Sequence, residues 1–270
     1  MKVLILAAGY GTRLYPYTKN FPKPLLKVNK RPVIRYLTDK LENIKGISKI
    51  IVVTNARFFK HFKNWQKSLN SRKKICIVND LTRNPQDKLG AIGDMNLVFD
   101  REGFNDNFLV LGGDNYFFEP LDDFVLQARK KTQAITIGVC DIKNKQEARH
   151  YGVVSLNRNN RVVGFKEKPA HPESSLIAMC LYYFPKNTVG LIKKYLNDPK
   201  NSKDAVGSYI NWLSKNKTVY GFIFKDGWFD IGHVHTYNRV KELIGCHKNR
   251  SSLKGGTFMT PLKELTKGVA

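Results

Sequence analysis

Cysteine is scarce in this chain, and the little there is lies scattered. Cys76, Cys140, Cys180 and Cys246 include no C-x-x-C pair, and three of them sit inside apolar runs. That points away from a zinc site or a disulfide framework and toward buried free thiols in a reducing compartment. Long hydrophobic runs are missing too, since none approaches the roughly 20 residues that span a bilayer. The opening MKVLILAAGYG sets a lysine before an apolar stretch. That stretch is too short for a secretory signal and leads straight into a glycine loop, so it reads as a first buried strand. The expectation is a cytoplasmic protein with no membrane partner. Internal repeats and low-complexity linkers are absent as well.

Acidic residues are few. Asp and Glu number 22 against 46 Lys and Arg, for a formal charge of +24. Such an excess raises nucleic-acid binding as a class. The lysines, however, are spread along the whole length. Only Arg72-Lys73-Lys74 and Arg129-Lys130-Lys131 cluster, each at an expected helix-to-strand junction. A nucleic-acid partner is therefore not expected, and part of the excess serves to draw in anionic substrates. A length of 270 residues, with 42% hydrophobic content, is enough to bury a sizeable core.

The first half alternates β-branched runs with helical spacing, the pattern of a parallel sheet covered on both faces. Strands are predicted at Val3–Leu6, Lys49–Thr54, Lys74–Val78, Phe108–Leu111 and Ala134–Val139. Helices are predicted over Pro32–Ile44, from Phe58 to Leu69, over Ala91–Phe99 and over Leu121–Arg129. The rhythm then changes. Gly152–Leu156 and Arg161–Lys166 flank Asn157-Arg158-Asn159-Asn160, a hairpin signal. Leu176–Phe184 and Val219–Phe224 read as strands, and Asn187–Leu196, Ala205–Ser214 and His233–Ile244 as helices. From Cys246 onward apolar periodicity is lacking, and order is not expected there.

The most informative stretch is Leu6 to Leu26, LAAGYGTRLYPYTKNFPKPLL. A strand-like run ends in a glycine-broken loop, whose exposed N–H groups suit a phosphate. Arg13 and Lys23 add positive charge from two directions, as a polyphosphate requires. Ligands in open α/β sheets sit beyond the carboxyl ends of the strands. Two further acidic motifs fall near such ends: Gly113-Asp114-Asn115 and Trp228-Phe229-Asp230-Ile231-Gly232. Magnesium takes hard oxygens, typically one or two carboxylates plus substrate phosphates, so Asp114 and Asp230 are the candidate metal ligands.

Gly9-Tyr10-Gly11-Thr12-Arg13 with Pro22-Lys23 resembles the signature of the sugar nucleotidyltransferases (nucleoside-diphosphate-sugar pyrophosphorylases), with similarity to the glucose-1-phosphate thymidylyltransferases. The resemblance covers residues 1 to 245, with five motifs in the expected order. It implies a Rossmann-like (GT-A-like) α/β fold, a mixed and mainly parallel sheet flanked by helices, with a small β-rich sugar-binding part. The implied domain runs over 1–245, divided into a nucleotide-binding half, 1–140, and a sugar-phosphate-binding half, 141–245; residues 246–270 form a tail.

By the same resemblance, Arg13 and Lys23 are catalytic, Ala8, Gly9, Gly11 and Thr12 cradle the nucleotide, and Asp114 and Asp230 hold Mg2+. Phe165-Lys166-Glu167-Lys168-Pro169 looks like the family's E-K-P motif. Glu167 would accept from sugar hydroxyls and Lys168 would hold the sugar phosphate, with Gly152 admitting the sugar to the backbone. Asn79 and Gly90 stand in for the family's base contacts. The pattern loosens around Lys88, Ile92 and Met179-Cys180, which leaves base and sugar open. The implied reaction condenses a nucleoside triphosphate with a sugar 1-phosphate. Transfer to another phosphomonoester, such as phosphocholine or inositol phosphate, and a non-catalytic nucleotide-sugar-binding regulator are the alternatives. The oligomeric state stays open, a homo-oligomer included. His150, His233 and His235 read as surface or packing residues, because a phosphate nucleophile needs no general base.

Overall fold

The computed structural model describes residues 1–226 and 228–251, with side chains described through Glu242. The chain opens with β1 (Lys2–Leu6), two short 3-10 turns at Thr12–Leu14 and Lys23–Leu25, and a small ribbon of β2 (Lys27–Val28) and β3 (Arg31–Pro32). Then follow α1 (Val33–Glu42), β4 (Lys49–Thr54), α2 (Phe59–Lys67), β5 (Ile75–Asn79), α3 (Gly90–Glu102) and β6 (Phe108–Gly112). Next come β7 (Asn115–Phe117), α4 (Asp122–Lys130) and β8 (Ile135–Asp141). The second half contains α5 (Lys145–Ala148), β9 (Gly152–Leu156), β10 (Val162–Glu167), β11 (Leu176–Phe184), α6 (Lys186–Val189) and α7 (Leu191–Leu196). It ends with α8 (Val206–Asn216), β12 (Val219–Phe224), β13 (Trp228–Asp230) and α9 (Val234–Ser251).

Nine strands form one sheet that runs through both halves. Its main path is β10-β9-β11-β6-β1-β4-β5, and β8 joins β11 to β12. The β6-β1-β4-β5 segment is parallel, with Val3 level with both Ile50 and Leu109. Around β11 the pairing turns antiparallel, to β6, β8 and β9. This is a mixed α/β sheet: the parallel β6-β1-β4-β5 segment comes from the alternating first half, and β12 of the second half adds a parallel pairing to β8.

Alternation along β1 splits the core. Val3 and Ile5 pack beneath α1, α2 and α4 with Leu37, Phe62 and Phe124. Leu4 faces the other side, beneath α3, α7 and α8, with Phe99, Ile192 and Tyr209. Period-2 side-chain direction in a strand dictates that division. A third, smaller cluster matters most for the cleft. Leu14 and Leu26 pack with Ile231, Tyr237 and Val240, fastening the glycine-loop region to α9.

Several boundaries depart from expectation. The segment Asn187–Leu196 is two helices broken at Gly190. Asn115–Phe117, where no element was predicted, is a strand paired with Trp228–Asp230. The last helix continues to Ser251, past the expected end at Ile244 and into the segment where no order was expected; residues 252–270 lie outside the described residues. The 157–160 turn forms as expected. Asn157 Oδ1 accepts from the N–H groups of Asn159 and Arg161, at 3.0 and 2.9 Å.

Candidate active site

A cleft of about 430 Å³ opens beyond the carboxyl ends of β1, β6 and β5. Its floor is set by two pieces of irregular backbone. Gly11 takes a left-handed φ of 64° and starts the 3-10 turn that presents Arg13. Thr18 Oγ1 donates to Gly11 O at 2.7 Å, and buried Asn55 Nδ2 donates to Ala8 O at 2.8 Å, which brace the loop from behind. The second turn, opened by Pro24 near its start, presents Lys23.

Lys23 joins the two acidic motifs. Its ammonium donates to Asp114 Oδ2 and lies 3.4 Å from Asp230 Oδ1. The β7–β13 pairing sets Asp230 level with Asn115, next to Asp114. Ile231 N also donates to Asp114 O at 3.1 Å. Asn115 locks the corner: its Nδ2 donates to Asp114 Oδ1 at 2.9 Å, and its Oδ1 accepts from Trp228 Nε1 at 2.5 Å.

One ammonium is thus shared between two carboxylates, and they respond differently. Burial pushes Asp114 up, but the Lys23 charge and hydrogen bond outweigh it and leave the carboxyl below its ordinary range. Asp230 stays raised, because burial and the Asp114 charge exceed what Lys23 and Arg13 return. Burial lowers Lys23, but Asp114 and Asp230 more than offset it, so the ammonium stays charged. The cluster is one positive charge short. Among the described residues no group of three or more His, Cys, Asp or Glu is arranged to hold a metal ion. A divalent ion here would rest on these two carboxylates and on substrate oxygens.

Of the residues singled out in the sequence, Ala8, Gly9, Arg13, Gly90, Asp114, Gly152, Glu167, Lys168 and Asp230 line this cleft. Gly11, Thr12, Lys23 and Asn79 are not on its wall: Gly11 shapes the loop and Lys23 braces the carboxylates. Asn79 spends its Oδ1 accepting from Leu81 N at 2.9 Å, and its neighbour Asp80 lines the cleft in its place. Gly152 and Gly207 make room for Glu167 and Phe165, since a Cβ at Gly207 would overlap the Glu167 carboxylate. Burial raises Glu167, and Lys168 only partly offsets it.

Sequence reasoning missed the histidines. His150 and His233 are exposed, as expected, and their surface position is on the cleft wall. Arg13 Nη1 donates to His233 Nε2 at 3.1 Å; a guanidinium cannot accept, so the imidazole is the acceptor. Burial first, then Arg13, Lys23 and His150, hold His233 below its ordinary value and so neutral. The only available signal was its position three residues after Asp230.

A glycine loop beyond β1, two acidic motifs bridged by a lysine, and an E-K-P corner thus meet around one cleft of an α/β protein. The chain belongs to the nucleotidyl transferase family, whose model matches residues 2–245. It is 28% identical over 233 residues to the bifunctional protein GlmU of Methanocaldococcus jannaschii, covering 86% of this chain and 51% of that protein. The chain therefore spans about half the length of that relative. It is 29% identical over 257 residues to the glucose-1-phosphate thymidylyltransferase of Neisseria meningitidis, covering 94% of this chain and 85% of that one. Among solved structures, a candidate glucose-1-phosphate thymidylyltransferase from Bacillus anthracis, crystallised with sucrose, superposes with a TM-score of 0.77. It shares 25% identity, over 90% of this chain and 94% of that one.

Proposed function

We propose that this protein transfers a nucleotidyl group from a nucleoside triphosphate to a sugar 1-phosphate, giving a nucleoside-diphosphate sugar and pyrophosphate. The observation that carries the reading is that Lys23 bridges Asp114 and Asp230, two carboxylates on the wall of a cleft that also holds Arg13, Glu167 and Lys168. A phosphate oxygen of the sugar 1-phosphate attacks the α-phosphorus in line; the α–β bridging bond breaks, and its electron pair leaves on pyrophosphate. The nucleophile is already an anion, so no side chain must remove a proton. What remains is positioning and charge neutralisation.

Arg13 faces the triphosphate and offsets charge gathering on the leaving pyrophosphate. His233 orients that guanidinium. Lys168 holds the sugar phosphate, while Glu167, set at the start of α8 against Gly207, accepts from sugar hydroxyls. Asp114 and Asp230 offer hard oxygens with an unmet negative charge, which fits a magnesium ion. Bound there, magnesium would supply neutralisation of phosphate charge and a template for phosphate oxygens. A hexose 1-phosphate such as glucose 1-phosphate is the favoured acceptor, because a hydroxyl acceptor stands beside a phosphate cation at Glu167-Lys168.

The test is a pyrophosphate-release screen of the four nucleoside triphosphates against a panel of hexose 1-phosphates, phosphocholine and inositol phosphate, with and without magnesium. Release that depends on a hexose 1-phosphate is expected. Release only with phosphocholine or inositol phosphate would redirect the acceptor assignment, and none with any pair would defeat the reading.

A further inference from the structure

The Arg13–His233 hydrogen bond is held from behind by buried side chains next to each partner. Leu14 follows Arg13, while Ile231 and Tyr237 flank His233, and all three belong to the small core cluster under the glycine loop. Leu14 N donates to Gly11 O at 2.9 Å, which closes the turn that carries Arg13. On the other side the Tyr237 hydroxyl donates to Lys27 O at 2.7 Å, and Tyr237 N donates to His233 O at 3.0 Å. The His233 backbone is therefore fixed at the start of α9, although 220 positions separate it from Arg13 in the chain. Both side chains are exposed on the wall of the cleft, where a ligand can reach them.

The bond can run in one direction only. A guanidinium has five N–H donors and no acceptor, so His233 Nε2 supplies the lone pair. That requires a neutral imidazole with its proton on Nδ1. Taking up a second proton turns Nε2 into a donor, breaks the bond and sets one cation against another. In the neutral state Arg13 spends one N–H on the imidazole and keeps the rest for phosphate oxygens. Because the group is planar and rigid, holding that one N–H sets the plane of the others.

The groups facing the imidazole are mostly cationic. Arg13 comes from the glycine loop, Lys23 from the second turn and His150 from the segment before β9. Arg149 Nε donates to His150 Nε2 at 3.3 Å, so a further guanidinium stands behind that histidine. Tyr151 lines the same wall, its hydroxyl pushed up to about 12 by burial and so uncharged. Asp230, three residues before His233, is paired with Lys23 at 3.4 Å. These surroundings oppose a positive charge on His233.

We propose that His233, as a neutral imidazole, positions Arg13 against the departing pyrophosphate, so that turnover falls when His233 takes up a proton. This inference rests on the nucleotidyl-transfer reading above and gives that reaction an acid limit. An imidazolium still attracts the triphosphate, so the loss falls on kcat, and KM for the triphosphate does not rise.

The test is steady-state pyrophosphate release by the full chain in magnesium, from about pH 8 to about pH 5, for the parent, His233→Ala and His233→Gln. Ratios between variants at each pH cancel the titration of the substrates. At the upper end His233→Ala is expected to be about tenfold below the parent in kcat, the size of one hydrogen bond. That gap should close toward the lower end, where protonation removes from the parent what the substitution removed. Gln offers an amide oxygen as acceptor at every pH. His233→Gln should therefore stay within about threefold of the parent at the upper end and exceed it at the lower. In an Arg13→Ala background, His233→Ala should cost no further turnover.

A parent-to-Ala ratio of one at the upper end, or a parent-to-Gln ratio constant across the range, overturns the inference while leaving nucleotidyl transfer standing. So does a full further loss from His233→Ala when Arg13 is already absent. If one of the two variants fails to fold, the other decides. Should the parent release no pyrophosphate from any triphosphate at any pH, the nucleotidyl-transfer reading falls, and this inference with it.

Discussion

Lys23 Nζ lies 3.4 Å from Asp230 Oδ1, although 207 positions separate them in the chain. The approach depends on two local devices. A 3-10 turn at Lys23–Leu25 aims the lysine inward, and the β7–β13 pairing delivers Asp230 beside Asp114. This end of the cleft is therefore built by long-range pairing rather than by one contiguous loop. Its charge arithmetic, one ammonium to two carboxylates, has direct consequences.

Replacing Lys23 with Ala strands two partly buried carboxylates. Removing one partner of a buried ion pair costs about 3–5 kcal/mol. All three groups are less than a third exposed, at 12%, 28% and 29%, so a loss of about 3 kcal/mol is expected in denaturant unfolding without divalent ions. Adding Asp114→Asn and Asp230→Asn should recover most of that loss. A Lys23→Ala protein as stable as the parent would refute the ion-pair account.

Arg13 does not belong to that structural brace. It is exposed, and its guanidinium donates to His233 at the cleft wall. Arg13→Ala should therefore leave the melting temperature nearly unchanged while turnover drops about two to three orders of magnitude, the usual size for one lost charge-stabilising donor. Steady-state pyrophosphate release with a parallel thermal melt checks both halves. Retained turnover would remove Arg13 from the chemistry.

Much of this was legible in the residues themselves. The runs Lys49–Thr54, Leu176–Phe184 and Val219–Phe224 are strands with the expected ends, because β-branched or aromatic residues fill them. The motifs at Gly9, Asp114, Glu167 and Asp230 do meet in one cleft. The misreading of Asn79 has a simple origin. Successive side chains at a strand end point opposite ways, so a one-residue ambiguity decides which of Asn79 and Asp80 sees the cleft. A three-residue strand such as Asn115–Phe117 carries too little periodicity to be read, and its partner lies over a hundred residues away. The histidine beside Arg13 is likewise a product of tertiary approach.

Asp94 ties stability to pH in a definite direction. Its carboxyl, near 3.8 when unperturbed, is raised to about 8 in the folded protein. Between those values the folded state keeps a proton that the unfolded chain has released. Its contribution is therefore full below pH 4 and lost as pH rises toward 8, with a slope of at most about 1.4 kcal/mol per pH unit. Asp94→Asn removes this dependence. Melting curves from pH 5 to pH 8 should show the variant gaining on the parent as pH rises, and parallel curves for the two proteins would show that Asp94 titrates normally.

Glu167 provides the sharpest separation of binding from folding. Its carboxylate lies over Gly207 at the start of α8, where a Cβ would overlap Oε2, and burial leaves it raised despite Lys168 alongside. The far end of one side chain can swing away, so Gly207→Ala should displace the carboxylate without unfolding the helix, in whose interior Ala is the better residue. The sugar-hydroxyl contact would then weaken, while Arg13, Lys23 and the two aspartates keep their places. KM for the sugar 1-phosphate should rise about tenfold, the cost of one charge-assisted hydrogen bond, with KM for the triphosphate unchanged. Glu167→Gln, which keeps the shape but loses the charge, should show a smaller rise. Equal rises in both Michaelis constants for Gly207→Ala would mean that the whole cleft had shifted, and Glu167 would lose its assignment to the sugar.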